Sequence, residues 1–136
     1  MEVEWLILAD AAQVVGNKLY LLGGGWDVLN VTGEFPARQR CGVAASFCVP
    51  WNETNQRHNV ELRIESQDGN ELAKIQGQIE VGRPAGILPG SDQRAQIAAD
   101  LGLELKGPGH FVIIGLVEGQ ELKRVSFTAR KAGVPS

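Results

Sequence analysis

The chain lacks most of the features that mark secreted, membrane-bound or nucleic-acid-binding proteins. In 136 residues it has two cysteines and a net charge of −3. No apolar run approaches the roughly 20 residues of a membrane-spanning helix. A slightly acidic chain with scattered basic residues also lacks the positive surface that binds nucleic-acid phosphates or anionic membranes. We therefore expect neither nucleic acid nor a membrane among its partners.

The chain start and the cysteines indicate a cytoplasmic location. The opening MEVEWLILADAA places glutamates, and no basic residues, before a short apolar stretch, which is unlike a secretion signal. Cys41 and Cys48 lie on one predicted strand, point to opposite faces about 20 Å apart, and cannot form a disulfide with each other. Reduced thiols fit a reducing compartment.

Apolar and polar residues alternate with a period of two along most of the chain, which predicts strands rather than helices. The predicted strands cover residues 3–12, 18–22, 40–49, 59–66, 74–81, 96–105, 110–117 and 124–130. Both faces of 110–117 are apolar, which favours a central position in a sheet. About eight strands with turn pairs such as Asp68-Gly69 between them predict one antiparallel β-sandwich domain, residues 1–136.

Three consecutive glycines, Gly23 to Gly25, raise the question of a phosphate-binding loop. Such a loop needs a helix directly after the glycines, so that the first helical amides face the anion. Here WDVLNVTGEFP follows, with β-branched residues, a glycine and a proline. We interpret the glycines as a sharp bend at the end of a strand, with Trp26 covering it.

No residue pattern has the spacing of a catalytic or metal site. His58 and His110 are not part of a His-x-His or His-Glu-x-x-His motif, and no Gly-x-Ser-x-Gly or Cys-x-x-Cys occurs. We expect both histidines on the surface at strand ends, and Asp10 partly buried with hydrogen bonds to turn amides. The expectation is therefore a protein that is not an enzyme, with no catalytic residue, metal or cofactor.

The loop over residues 82–92 is the first candidate binding region, because it is stiff and apolar whereas loops are normally polar. Its apolar residues must pack either on the domain or on a protein partner, and the sequence leaves both options open. The candidate partner-binding residues are Arg83, Pro84, Ile87 and Leu88.

Two tryptophans form the second candidate region. Trp26 and Trp51 lie in or beside loops, and Trp51 is followed by Asn52 and further polar residues. An aromatic surface edged by amides can stack a sugar ring, so Trp26, Trp51 and Asn52 are the candidate ligand-binding residues at one end of the sandwich. The competing interpretation is that Trp51 plugs that end and Trp26 covers the glycine bend.

The second half of the chain resembles a known architecture. The segment LELKGPGHFVIIGLVEGQELKRVSF is similar to the closing hairpin of an immunoglobulin-like domain. The whole chain, with EWLILADAAQ, GGGWD and a central PWNE loop in order, resembles an uncharacterised bacterial family with no assigned activity. The resemblance implies a β-sandwich that is immunoglobulin-like in its C-terminal half, and it implies no catalytic residue.

These observations predict a non-catalytic interaction or structural module of the bacterial cytoplasm. Its expected partner is another protein or a second copy of itself, which would make it a homo-oligomer. The alternative is a β-sandwich that binds a small, carbohydrate-like ligand through Trp26 and Trp51.

Overall fold

The alternating segments form nine strands in the computed structural model, which describes residues 1–133. The strands are β1 (Glu2–Val15), β2 (Lys18–Gly24), β3 (Val28–Val31), β4 (Ala37–Val49), β5 (His58–Ser66), β6 (Glu71–Ile79), β7 (Gln93–Leu105), β8 (Gly109–Val117) and β9 (Gln120–Lys131). One turn of 3₁₀ helix spans Trp51–Glu53, and residues 1–133 contain no α-helix. The all-β prediction is confirmed. No helix in this described part of the chain has the length and apolar character to cross a membrane.

The strands form two sheets packed against each other. The four-stranded sheet has the order β2-β1-β4-β7, and the five-stranded sheet has the order β3-β9-β8-β5-β6. All neighbours are antiparallel except β3, which runs parallel to β9. The sandwich prediction is confirmed, as is the central position of β8. The short strand β3 was not predicted, because four residues show too little alternation.

The core lies between the sheets and is built from the residues that the alternation placed inward. On β4, Cys41, Val43, Ala45, Phe47 and Val49 are fully buried. Side chains of β5, β8 and β9 meet them from the other sheet. Burial of each large apolar side chain contributes about 1.5–3 kcal/mol, so this core is sufficient to hold the two sheets together.

The hairpin of β1 and β2 crosses the outer face of the four-stranded sheet. We call residues 10–24 the arm. The strand β1 pairs with β4 as far as Ala9 and Gly42. Beyond that point the Ala12 amide donates to Asp100 Oδ1 of β7 at 3.0 Å, and Gln96 of β7 donates to the Asn17 carbonyl at 3.0 Å. The arm therefore reaches β7 by passing over β4.

Gly42 is the residue that permits this crossing. A Cβ atom at Gly42 would lie 2.6 Å from the Ala12 nitrogen and 2.8 Å from the Ala11 carbonyl carbon. Only a residue without a side chain lets the two backbones approach so closely. Ala44, two residues further along β4, is fully buried although it points away from the core.

The three glycines form a bend, as predicted, and no helix begins at Trp26. Gly23 and Gly25 have φ angles of 61° and 87°, which are strained for other residues. The Gly25 amide donates to the Leu8 carbonyl at 2.8 Å. Asp10 lies beside Gly23 but is exposed, so the expectation of a partly buried Asp10 was wrong.

Candidate functional site

Two of the predicted binding residues, Arg83 and Trp51, contact each other at one end of the sandwich. The Arg83 Cζ atom lies 3.9 Å from the centroid of the Trp51 ring. Arg83 Nη2 donates to the Trp51 carbonyl at 2.8 Å, and Arg83 Nε donates to Thr54 Oγ1 at 2.7 Å. A guanidinium stacked on an indole gains a cation–π interaction in addition to these hydrogen bonds. Arg83 therefore fixes loop 82–92 on the domain.

The two large apolar residues of loop 82–92 differ in how far they are buried. Ile87 is half-buried, and its amide closes a turn on the Pro84 carbonyl at 3.3 Å. Leu88 is 75% exposed. The loop thus presents one large apolar side chain to solvent on a support that Arg83 and Trp51 hold in place.

The structure separates Trp26 from Trp51. Trp51 follows the end of β4, next to the start of β5, where His58 contacts Glu53. Trp26 packs edge-on against Phe127 with ring centroids 6.0 Å apart. Phe127 pairs with Phe111, which in turn pairs with Ser66 at the far end of β5.

The prediction that the two tryptophans flank one pocket was therefore wrong. They lie at opposite ends of the sandwich, because loops that look equivalent in the sequence leave the sheets at different ends. Asn52 stays beside Trp51 and is exposed, with its carbonyl accepting from Gln56 Nε2 at 2.9 Å.

The two histidines are also at opposite ends, and one differs from the expectation. His58 is only 9% exposed, and its Nε2 lies 2.8 Å from the Glu53 carbonyl, so its expected place on the surface was wrong. The 3₁₀ turn before β5 covers it. His110 is exposed, with Nδ1 3.1 Å from Thr128 Oγ1. Among residues 1–133, no three His, Cys, Asp or Glu side chains come together as a metal site.

Neither thiol is prepared for nucleophilic chemistry. Burial raises the pKa of Cys41 to about 11, with Asp100 adding to the effect. Burial also raises the pKa of Cys48, and the nearby Asp92 and Glu4 carboxylates raise it further. Because the thiolate is the nucleophile, both cysteines are in their unreactive form at neutral pH.

Two surface cavities have linings that combine polar and apolar residues, and in the first the polar side chains already form hydrogen bonds within the protein. A groove of about 550 Å³ lies over β5 and β6. There Gln76 donates to Glu61 at 3.0 Å, and the Asn59 amide donates to Glu118 at 2.7 Å. A cleft of about 760 Å³ lies between the turn after β5 and the corner before β8. We find no convergent set of free polar groups in the groove.

The distinctive surface of the molecule is the arm. Among residues 1–133, five large apolar side chains are exposed, and four of them belong to the arm: Val15 (51%), Tyr20 (55%), Leu21 (38%) and Leu22 (71%). The last three lie on β2, the outermost strand of the four-stranded sheet. Their exposure was not predicted, because the apolar run KLYLL has the pattern of a buried strand.

An ion pair on the outer face holds the strands beneath the arm. Glu4 of β1 accepts from Arg94 Nε of β7 at 2.7 Å and from Ser46 Oγ of β4 at 2.9 Å. These hydrogen bonds, first from Arg94 and then from Ser46, lower the pKa of Glu4 to about 2. The contact links three strands, which fits a structural role.

Comparison with known proteins gives a family and a distant structural likeness. The model of a family of unknown function, DUF6941, matches residues 4–130. No curated protein matches the chain. Among solved structures, the chain is similar to Pseudomonas fluorescens alkylpurine DNA glycosylase AlkC bound to DNA containing an abasic site analog, with 18% identity and a TM-score of 0.40. The match covers 76% of this chain and 28% of that one, and it supports no conclusion about function.

Proposed function

We propose that this chain, which belongs to the family of unknown function DUF6941, is a non-catalytic protein-interaction module that associates with itself. The observation that carries the proposal is the exposure of Tyr20 and Leu22 on an edge strand. Soluble proteins usually protect such edges with charges, prolines or covering loops, because an open edge pairs with other chains. An apolar edge without that protection is best explained as a contact surface.

Loop 82–92 supplies a second contact surface. Arg83 holds the loop through Trp51, Pro84 and Ile87 shape its turn, and Leu88 extends into solvent. A fixed apolar side chain loses little conformational entropy on binding, which favours association. In this proposal Leu88 makes the contact and Arg83 positions it.

The chemistry of the described residues supports a non-catalytic role. The raised pKa values of Cys41 and Cys48 argue against a cysteine nucleophile. The buried His58 contacts a backbone carbonyl rather than another functional side chain. The carbohydrate-binding alternative has less support, because Arg83 occupies a face of the Trp51 ring on which a sugar would stack.

Two finer assignments belong to the same proposal. The strand order supports an immunoglobulin-like sandwich. Such domains place strands A, B and E in one sheet and strands G, F and C in the other, and β1-β4-β7 and β9-β8-β5 match these two orders. The two free cysteines support a reducing compartment such as the cytoplasm.

Sedimentation equilibrium over a wide concentration range tests the proposal. We expect the average mass to rise above that of the 14.7 kDa monomer as concentration increases. Leu22→Glu and Leu88→Glu should each weaken that rise if their surface takes part, while circular dichroism shows an unchanged fold. A wild-type protein that stays monomeric up to the highest soluble concentration would contradict self-association.

A further inference from the structure

We propose that two copies of the chain pair through their β2 strands, antiparallel about a two-fold axis at Leu21, so that two four-stranded sheets become one of eight strands. This inference rests on the proposed function and names its partner, a second copy, and its geometry. Among the exposed surfaces described above, β2 alone combines unpaired backbone groups with large apolar side chains.

The backbone of β2 leaves one side free for pairing. On one side it pairs with β1, from Val15 opposite Lys18 to Ala9 opposite Gly24. On its other side, none of the strands in the described part of the chain lies beside it. The seven residues of β2 extend over at most about 23 Å, at roughly 3.3 Å per residue, and the positive φ of Gly23 bends the strand near its end. Up to that bend, the free side of β2 can form ladder hydrogen bonds with an identical strand.

The alternation of side chains restricts the register. A two-fold axis perpendicular to the sheet keeps outward side chains outward in both copies, so a residue pairs only with one of the same face. With the axis at Leu21, the two Leu21 residues lie opposite each other. Tyr20 of each copy then lies opposite Leu22 of the other copy. An axis at Tyr20 would place Lys18 against Leu22. An axis at Leu22 would shorten the ladder.

The Leu21 register forms two identical aromatic–aliphatic pairs. Tyr20 and Leu22 are 55% and 71% exposed, so much of their surface is available to the second copy. Cross-strand pairs of this kind stabilise antiparallel sheets. These pairs form only in the dimer, so dimer formation buries the most exposed apolar residues of the arm.

The register also keeps like charges apart. Lys18 is the only charged residue of β2. With the axis at Leu21, each Lys18 lies opposite Gly24 of the second copy, so the two lysines are at opposite ends of the ladder.

Cysteine cross-linking tests the register directly. In a Cys48→Ser background, Leu21→Cys should form an intermolecular disulfide under mild oxidation, because directly opposed Cβ atoms lie about 4.5–5.5 Å apart. Tyr20→Cys alone and Leu22→Cys alone should each cross-link at least tenfold more slowly. In either variant the cysteines of the two copies are diagonal neighbours across the ladder, about 7–8 Å apart. A mixture of the Tyr20→Cys and Leu22→Cys proteins should cross-link as readily as Leu21→Cys does alone.

The outcomes separate this inference from the proposed function. A protein that self-associates in sedimentation but gives no Leu21→Cys cross-link keeps the proposed function and overturns this pairing. Faster cross-linking of Tyr20→Cys than of Leu21→Cys overturns the register. A strictly monomeric protein overturns both. Since all three positions are exposed, the variants should fold, and circular dichroism with a denaturation midpoint checks that they do.

Discussion

The edge strands β2 and β6 differ in how their side chains meet solvent. On β6, Lys74 and Glu71 pair with each other, Glu71 also pairs with Arg63 of β5, and Gln76 donates to Glu61 of β5. On β2, Tyr20 is exposed to solvent, and its side chain forms no hydrogen bond with any residue from 1 to 133. Charged edges discourage pairing with other chains, and apolar edges permit it. This difference is the reason for proposing association at β2 and not at β6.

Two glycines, one on β4 beneath the arm and one on the edge strand β6, have opposite surroundings. Gly42 lies under the crossing arm, with backbone atoms 2.6 Å and 2.8 Å from the position of an added Cβ. At Gly77 of β6 the nearest atom to such a Cβ would be Val60 Cγ2, at 4.0 Å. Thus the arm depends on close backbone contact, whereas β6 does not.

The largest expected effect is therefore at Gly42. Gly42→Ala should destabilise the fold by about 3 kcal/mol, because the methyl group forces the arm backbone away from β4. Gly77→Ala is the matched control and should leave stability unchanged or raise it by about 0.5 kcal/mol, since alanine costs less entropy on folding than glycine. Urea denaturation of both variants measures the difference. Equal midpoints would contradict the close crossing of the arm over β4.

A smaller effect is expected from pH at the Glu4–Arg94 contact. The pKa of Glu4 in the fold is about 2, below its ordinary value of 4.5. The contact should therefore stabilise the fold above pH 4.5 and lose that stabilisation as the pH falls toward 2. Because Arg94 is 59% exposed, the change should be smaller than that at Gly42.

Glu4→Gln is the variant that isolates this contribution. Thermal denaturation between pH 7 and about pH 2 should show a shallower loss of stability for Glu4→Gln than for wild type. Glu80→Gln serves as a control, because Glu80 is exposed and forms no ion pair with any residue from 1 to 133. Parallel pH profiles for wild type and Glu4→Gln would show that the contact contributes nothing.

The smallest expected effect comes from making β6 resemble β2. Replacing both Glu71 and Lys74 by threonine removes the charges that protect the edge and keeps its strand propensity. We expect a slight increase in concentration-dependent mass relative to wild type, seen by sedimentation. The same double substitution in a Leu22→Glu background shows whether the new association is independent of β2. If the added mass requires Leu22, β6 takes no part in it.

The sequence predicted the features that depend on neighbouring residues along one strand. Alternation between residues 40 and 49 correctly placed Phe47 inside, and two apolar faces correctly made 110–117 central. Features that depend on distant contacts were not predictable. The crossing at Gly42 requires Asp100 to meet Ala12, which are 88 positions apart in sequence.

The candidate site was predicted less well, for the same physical reason. Which end of the sandwich a loop occupies depends on strand order, so Trp26 and Trp51 were wrongly assigned to one pocket. Whether an apolar strand is central or at an edge also depends on strand order, so the exposure of Tyr20 was missed. Leu88 could be singled out, because a leucine in a stiff loop is unusual wherever the loop lies.

Amide hydrogen exchange at low and high protein concentration measures the contrast between the edges most directly. If β2 pairs with a second copy, its outward-facing amides should become more protected as concentration rises, while the edge amides of β6 keep the same exchange rates. Unchanged exchange on β2 in a sample whose mass has increased, or new protection on β6 instead, would contradict the assignment of association to the β2 edge.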